Sequence, residues 1–294
     1  MKKFVVVCLL LLFFLLGYQQ YRVSRSTRPP AGTGQRVVSL SPTLTEIIFE
    51  LGAGAEVVGV TTYCTYPPEA KSKEKVGDFV NPNFEKMVEL RPDAIFAETW
   101  SSSKIVSRLR DSGLNVIELK SPRSIQEIYA MILEVGRGLG REARASEVVE
   151  GMKRRIEAIQ ASSAQMRIHP ALYIEIDLPS WTVGKASYTS EAIELCGARN
   201  IFGEVEKPAL QASREAIIQR NPDIILTFDS DSEEFRQRPG WDRIKAVQKG
   251  WIISDVGRNM LSHGSHRLVD GMEQLHARLR ELLGQTGSIQ PGRE

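Results

Sequence analysis

The sequence predicts an α/β protein: two similar lobes with parallel-rich sheets flanked by helices, joined by one long backbone helix. Three observations predict it. The chain repeats itself once, strand-like and helix-like patterns alternate through both copies, and one long helical pattern separates them. The repeat carries most weight. EKMVELRPDAIF at 85–96 returns as EAIIQRNPDIIL at 215–226, 130 residues on (85 to 215). TEIIFELGA at 45–53 returns as SEAIELCGA at 190–198, 145 residues on (45 to 190). LRDSGLNVIEL at 109–119 returns as AVQKGWIISDV at 246–256, 137 residues on (109 to 246). The three blocks keep their order, which is the mark of a duplicated supersecondary unit with small insertions.

Each block predicts an element. Thr45 and Ser190 are the predicted N-caps of helices that end at Gly52 and Gly197. The helix at 84–91 stops before Pro92, because a residue preceding proline is pushed out of the helical region. Asp93 then leads into the β-rich run AIFA, and Asp223 into IILTF. Asn115–Leu119 and Trp251–Ser254 are further short strands. SIQE at 124–127 is a capping box opening a helix that GRGLGRE at 136–142 interrupts. A polar-rich helix follows through Glu147, Met152, Ile156 and Ile159. Strands alternating with helices build parallel sheets, and a long helix between two lobes is a stiff connector.

These patterns divide the body into an N-terminal lobe at 36–140, a connecting helix at 141–163 and a C-terminal lobe at 164–284. In front of it, Met1-Lys2-Lys3 and the apolar run from Phe4 to Leu16 read as an export signal or N-terminal anchor over 1–18. The run is shorter than the about 20 apolar residues a membrane span needs. No A-x-A-like cleavage site follows, and Cys8 lies too deep in it for a lipoprotein cysteine. Residues 19–35 read as a flexible tether, and 285–294 as a frayed tail. With 38 basic and 36 acidic residues the net charge is +2, which gives no basic patch for a nucleic-acid partner. Beyond Cys8 there are two cysteines, Cys64 and Cys196, too few for a disulfide framework.

No G-x-S-x-G, G-x-G-x-x-G or phosphate-loop motif occurs, so no catalytic residue is assigned and the chain is expected not to be an enzyme. Ser39 and Ser41 read as polar groups at a strand end. His263 and His266 invite a metal reading, but the N-terminal lobe has no histidine, so no metal ligands are assigned. The two read instead as part of a polar loop capping the last helix. Tyr66, before Pro67 and Pro68, is expected to pack the turn.

The SLSP-x-x-TE block, the VVGV…YPPEA block and the NPNFE…RPD block stand in one order over the body. Together they resemble the helical-backbone class of periplasmic binding proteins, which serve ABC importers of vitamin B12, ferric siderophores and haem; the chain is most similar to the cobalamin binders. The resemblance implies a ligand cleft between the lobes and an extracytoplasmic, monomeric solute-binding protein with no intrinsic cofactor. Its ligand is expected to be a cobalamin, with a ferric siderophore or haem as the alternative, delivered to the importer's membrane permease subunits. By motif, Tyr63, Phe79 and Trp181 take aromatic ligand positions, which suits a flat macrocycle. Asp255 and Arg258 take a polar pair, although the spacing to Arg258 is one residue short of the family pattern. Glu85 and Glu215 take the docking carboxylates that meet permease arginines. The chain departs from the B12 binders at Ala209 and Glu98, where those proteins can carry tryptophan (Trp100 lies close to the second).

Overall fold

The structure, a computed structural model, describes residues 34–78, 81–99, 103–228, 230 and 232–286. The export segment, the tether up to 33, Phe79, Trp100 and the tail from 287 lie outside the described residues. In chain order the first lobe runs β1 (Val37–Ser39), α1 (Pro42–Glu50), β2 (Val57–Val60), β3 (Glu74–Lys75), α2 (Phe84–Glu89), β4 (Ala94–Thr99), α3 (Ser103–Asp111), β5 (Val116–Lys120) and α4 (Ile125–Leu139). The long helix α5 (Glu142–Ser163) follows. The second lobe begins β6 (Ala171–Glu175), β7 (Trp181–Val183), α6 (Tyr188–Leu195), β8 (Arg199–Asn200), β9 (Ala209–Gln211) and α7 (Arg214–Arg220). It ends β10 (Ile224–Thr227), α8 (Ser232–Gln237), α9 (Lys245–Lys249), β11 (Ile252–Ile253), α10 (Arg258–Ser262) and α11 (Leu268–Thr286).

Both main sheets are parallel and share one plan. The first has order β3-β2-β1-β4-β5, the second β11-β10-β6-β8. In the first, the chain leaves β1 toward β2 and β3, then returns to the other side of β1 as β4 and β5. The second repeats this around β6: β8 on one side, β10 and β11 on the other. The order therefore reverses between β1 and β4 and again between β6 and β10. An antiparallel ribbon of β7 and β9 is added in the second lobe, pairing Trp181 with Gln211 and Val183 with Ala209.

The local chemistry explains the element ends. Helix α1 starts earlier than the sequence pattern suggests: Ser41 is its N-cap, accepting from Leu44 N at 3.1 Å, and Pro42 fills the first turn. Proline there forfeits an amide that has no helical partner anyway. Ser187 caps α6 in the same way, accepting from Thr189 N, so Thr45 and Ser190 lie inside their helices. Ser124 caps α4, accepting from Glu127 N at 3.2 Å. That helix runs through Gly136 and Gly138 and stops at Gly140, whose φ of 66° is left-handed. The interruption expected at 136–142 therefore falls at Gly140, while Gly136 stays helical and lets α5 come close, since a Cβ there would lie 2.4 Å from that of Ala145.

Three apolar clusters hold the molecule together. One fills the outer face of the first sheet, around Val38, Met87, Ile95 and Leu109. A second fills the outer face of the second sheet, around Tyr173, Phe235 and Trp241. The third is shared: it runs from Val37, Phe96 and Leu119 through α4, α5 and α11 to Leu172, Ile174 and Ile253. Helix α5 contributes Ala145, Val149, Met152, Ile156 and Ile159, spaced four and three apart along one stripe. A continuous close-packed layer between two sheets resists deformation, so the connection between the lobes is stiff.

Candidate functional site

In open α/β sheets ligands bind outside the carboxyl ends of the strands, where the strand order reverses. Here those points are the ends of β1 and β4, around Ser39 and Glu98, and the ends of β6 and β10, around Glu175 and Phe228. The first is floored by hydroxyls. Thr45 Oγ1 lies within hydrogen-bond distance of Ser39 Oγ at 2.8 Å, Ser41 O at 2.9 Å and Cys64 Sγ at 3.1 Å. Thr61 Oγ1 meets the same sulfur at 3.1 Å. The thiol is 1% exposed and free, so Cys64 pins the loop after β2 from beneath and does not reach solvent. That loop presents Tyr63, whose side chain is 58% exposed.

At the second point, Trp181 stands 40% exposed at the start of the antiparallel ribbon, close to exposed Leu178. Trp181 N donates to Asp177 O at 2.9 Å, and Ile176 N to Trp181 O at 2.8 Å, which ties the ribbon to the end of β6. Arg258 Nη1 donates to Ile176 O at 2.7 Å, and its guanidinium lies 5.4 Å from the Phe228 ring centroid. Arg258, Phe228 and the entry to Trp181 are thus gathered at one strand end. The Asp255 carboxylate pairs with Arg278 of α11 at 3.3 Å. The two residues expected to take the polar ligand positions thus have different protein partners, Arg258 the Ile176 carbonyl and Asp255 the Arg278 guanidinium. Ala209 pairs with Val183, at the far end of the ribbon from Trp181.

Glu85 and Glu215 occupy matching places. Each is the second residue of a short helix, behind an N-cap that accepts from the amide three residues on: Asn83 from Lys86 N at 3.0 Å, Ser213 from Ala216 N at 3.1 Å. Both glutamates are exposed. The Glu215 backbone amide and then Arg214 hold its carboxyl below the ordinary value, as expected of an acid at a helix N-terminus.

Several polar groups were not singled out by the sequence. Glu46 is 1% exposed, and accepts from His263 Nδ1 at 2.9 Å, Ser265 Oγ at 2.6 Å and Arg267 Nη1 at 3.2 Å. The loop of His263 and His266 is therefore pinned to the first lobe, besides leading into α11. Arg267 also lies over the Tyr66 ring, 3.7 Å from its centroid, so Tyr66 packs across the lobes. Glu175, 2% exposed, takes a bidentate pair from Arg238 at 2.7 and 2.9 Å. Burial above all, then Glu98 and Glu46, pushes the Tyr188 phenol well above its usual range, and the phenol donates to Ser262 O at 2.6 Å. Glu46 repeats as Glu191 in the second copy, and that register was the available signal.

A cavity of about 520 Å³ opens between α1 and the 66–73 segment, lined by Glu46, Phe49, Glu50, Tyr66, Glu69 and His266 among others. It includes none of Tyr63, Trp181 and Arg258. The strand ends carry the exposed aromatics Tyr63 and Trp181, with the Arg258 guanidinium beside the second. Among the described residues no group of three or more His, Cys, Asp and Glu side chains is placed to hold a metal ion, and no helix is long and apolar enough to cross a membrane.

Comparison with known proteins agrees with this architecture. A relative described as an uncharacterized ABC transporter substrate-binding lipoprotein, YvrC of Bacillus subtilis, is 35% identical over 249 residues, covering 82% of this chain and 78% of its own. A vitamin B12-binding protein of Pectobacterium atrosepticum is 26% identical over 254 residues, covering 84% and 89%. The crystal structure of "a possible iron-binding (periplasmic solute-binding) protein" from Staphylococcus epidermidis superposes with a TM-score of 0.73 at 31% identity, covering 83% of this chain and 98% of that one. Residues 37–256, from β1 through β11, match the family model described as periplasmic binding protein, and with well over half of the chain inside that match, the chain belongs to the periplasmic binding protein family.

Proposed function

We propose that this protein is the extracytoplasmic substrate-binding component of an ABC importer, and that it carries a cobalamin or related corrinoid to the membrane permease. The observation that supports it best is the pairing of two strand-end crevices, each with an exposed aromatic: Tyr63 on the first, Trp181 on the second. Two aromatic faces bury a large flat ligand at small entropic cost. On this reading Phe79 adds a third aromatic, Arg258 and Asp255 bind the ligand's polar rim, and Glu85 and Glu215 dock the loaded protein onto the permease. The lobes are 36–140 and 164–284, with 141–163 as the connecting helix, and 1–18 directs export or holds the body at the membrane. The vitamin B12-binding relative supports the corrinoid.

A ferric siderophore or haem is the second reading. The Tyr63 phenol is the observation that favours it, because a phenolate is a recognised axial ligand of ferric haem, and a solved relative is described as a possible iron-binding protein. The test is titration of the detergent-solubilised full chain with cyanocobalamin, following tryptophan fluorescence and heat. Saturable one-to-one binding in the micromolar range or tighter, weakened by Trp181→Ala and Tyr63→Ala, is the expected result. No heat and no quenching retires the corrinoid, and haem and ferric siderophores are titrated next.

A further inference from the structure

Glu46 and Glu191 occupy the same register of the internal repeat, one on the first helix of each lobe, 145 residues apart (46 to 191). Each reaches across to the opposite lobe, and each lands at the entry to that lobe's last helix. Glu191 Oε2 accepts from Ile125 N, the first residue of α4, at 2.8 Å. Glu46 accepts from His263, Ser265 and Arg267, the residues that lead into α11 at Leu268. The two contacts thus occupy corresponding places in the repeat.

We propose that Glu46 and Glu191 are a twofold pair of positioning residues that lock the spacing of the two lobes, and with it the placement of Arg258. Three features carry this. The carboxylates bond groups 66 and about 220 residues away in sequence, so neither serves its own helix. Unpaired amides and the macrodipole make the entry to α4 a favourable seat for the Glu191 carboxylate, Glu46 meets the side chains of three residues just before α11, and both seats lie on the far lobe. The Glu46 contact also controls a functional segment: His263 directly follows α10, the helix that begins at Arg258. Arg267 extends the same contact by stacking over Tyr66 of the first lobe. The two contacts differ in strength. Glu46 is buried and meets a guanidinium, while Glu191 is part-exposed and meets a backbone amide. Charge at Glu46 is therefore indispensable, whereas at Glu191 an uncharged acceptor suffices.

Double electron–electron resonance on the ligand-free full chain tests the pair, so the outcome is independent of which ligand the cleft takes. Spin labels are placed on Ser112→Cys and Gln219→Cys, two exposed positions, one on each lobe, in a Cys8→Ser background; Cys64 and Cys196 are buried and stay unlabelled. The parent is expected to give one narrow distance distribution. Glu46→Ala, Glu46→Gln and Glu191→Ala are expected to widen it and add a longer component, while Glu191→Gln restores the parent distribution. A residue that merely stabilised its own helix would lower the melting temperature and leave the distances unchanged. Parent-like distributions in folded Glu46→Ala and Glu191→Ala overturn the proposal. Should Glu46→Ala fail to fold, the milder Glu191→Ala decides alone: an unchanged distribution overturns it.

Discussion

His266 sits beside the buried Glu46 contact, its Nε2 3.5 Å from Glu50 Oε2 and its Nδ1 buried with no hydrogen-bond partner. Burial is the largest influence on it and holds its pKa below the usual 6.5, against the opposite pull of Glu50 and Glu46. The unfolded chain therefore takes up this proton first as the pH falls. Stability from the neutral imidazole is complete above about pH 6.5 and is lost as the pH drops through that value toward the folded-state pKa. The parent is expected to melt at a progressively lower temperature between about pH 7 and pH 5, and His266→Asn to show a shallower dependence over that window. Parallel curves for the two proteins would mean that another group carries the effect. Cys196 illustrates the same physics in an uncharged form: burial pushes its thiol up to about 12, and it donates to Met272 O at 3.2 Å.

Among elements, the second lobe's strand end depends on one ion pair. Glu175 closes β6 with both carboxylate oxygens bonded to Arg238, and Ser230 and Glu234 share the same guanidinium. Arg238 also stacks on Phe235 and Trp241, 4.2 and 4.9 Å from their centroids, so it fastens α8 and the turn after it to the sheet. Removing one partner of a buried pair strands the other. Arg238→Ala is expected to cost about 3–5 kcal/mol, whereas replacing both groups together costs much less. Urea unfolding of Arg238→Ala and of the Glu175→Leu/Arg238→Met double variant separates the two, and equal losses would contradict the account. This contact was illegible in the sequence, because nothing near Glu175 names a partner 63 residues away. The helix starts were half legible. Ser41 and Thr45 both suit an N-cap, and Pro42, which favours the first turn of a helix, is the residue that decides between them. The interruption expected at GRGLGRE falls at Gly140, whose left-handed φ ends the helix, while Gly136 stays helical because close packing against Ala145 outweighs its low propensity.

At the scale of the whole molecule the duplication was legible, and it dictates the matched strand orders around β1 and β6. What the repeat could not reveal is which matched residues turn inward. Glu46 and Glu191 share a register and cross between the lobes, whereas Glu85 and Glu215 share another and face solvent. One pair thus ties the lobes together, and the other stands on the surface. Exposed glutamates in the first turn of a helix contribute little to folding, and reversing them should leave the protein folded. Their proposed effect lies in encounter with a basic permease surface, where complementary charge sets rate and register. Glu85→Lys/Glu215→Lys is expected to leave ligand titration unchanged and to abolish transporter-dependent uptake, with each single variant intermediate. Because both charges are exposed and screened by salt, the single variants should lose less uptake, relative to the parent, at high ionic strength than at low. If the double reversal imports at the parent rate while still binding ligand, the permease reads some other surface, and the matched register of the two glutamates serves only their own helices.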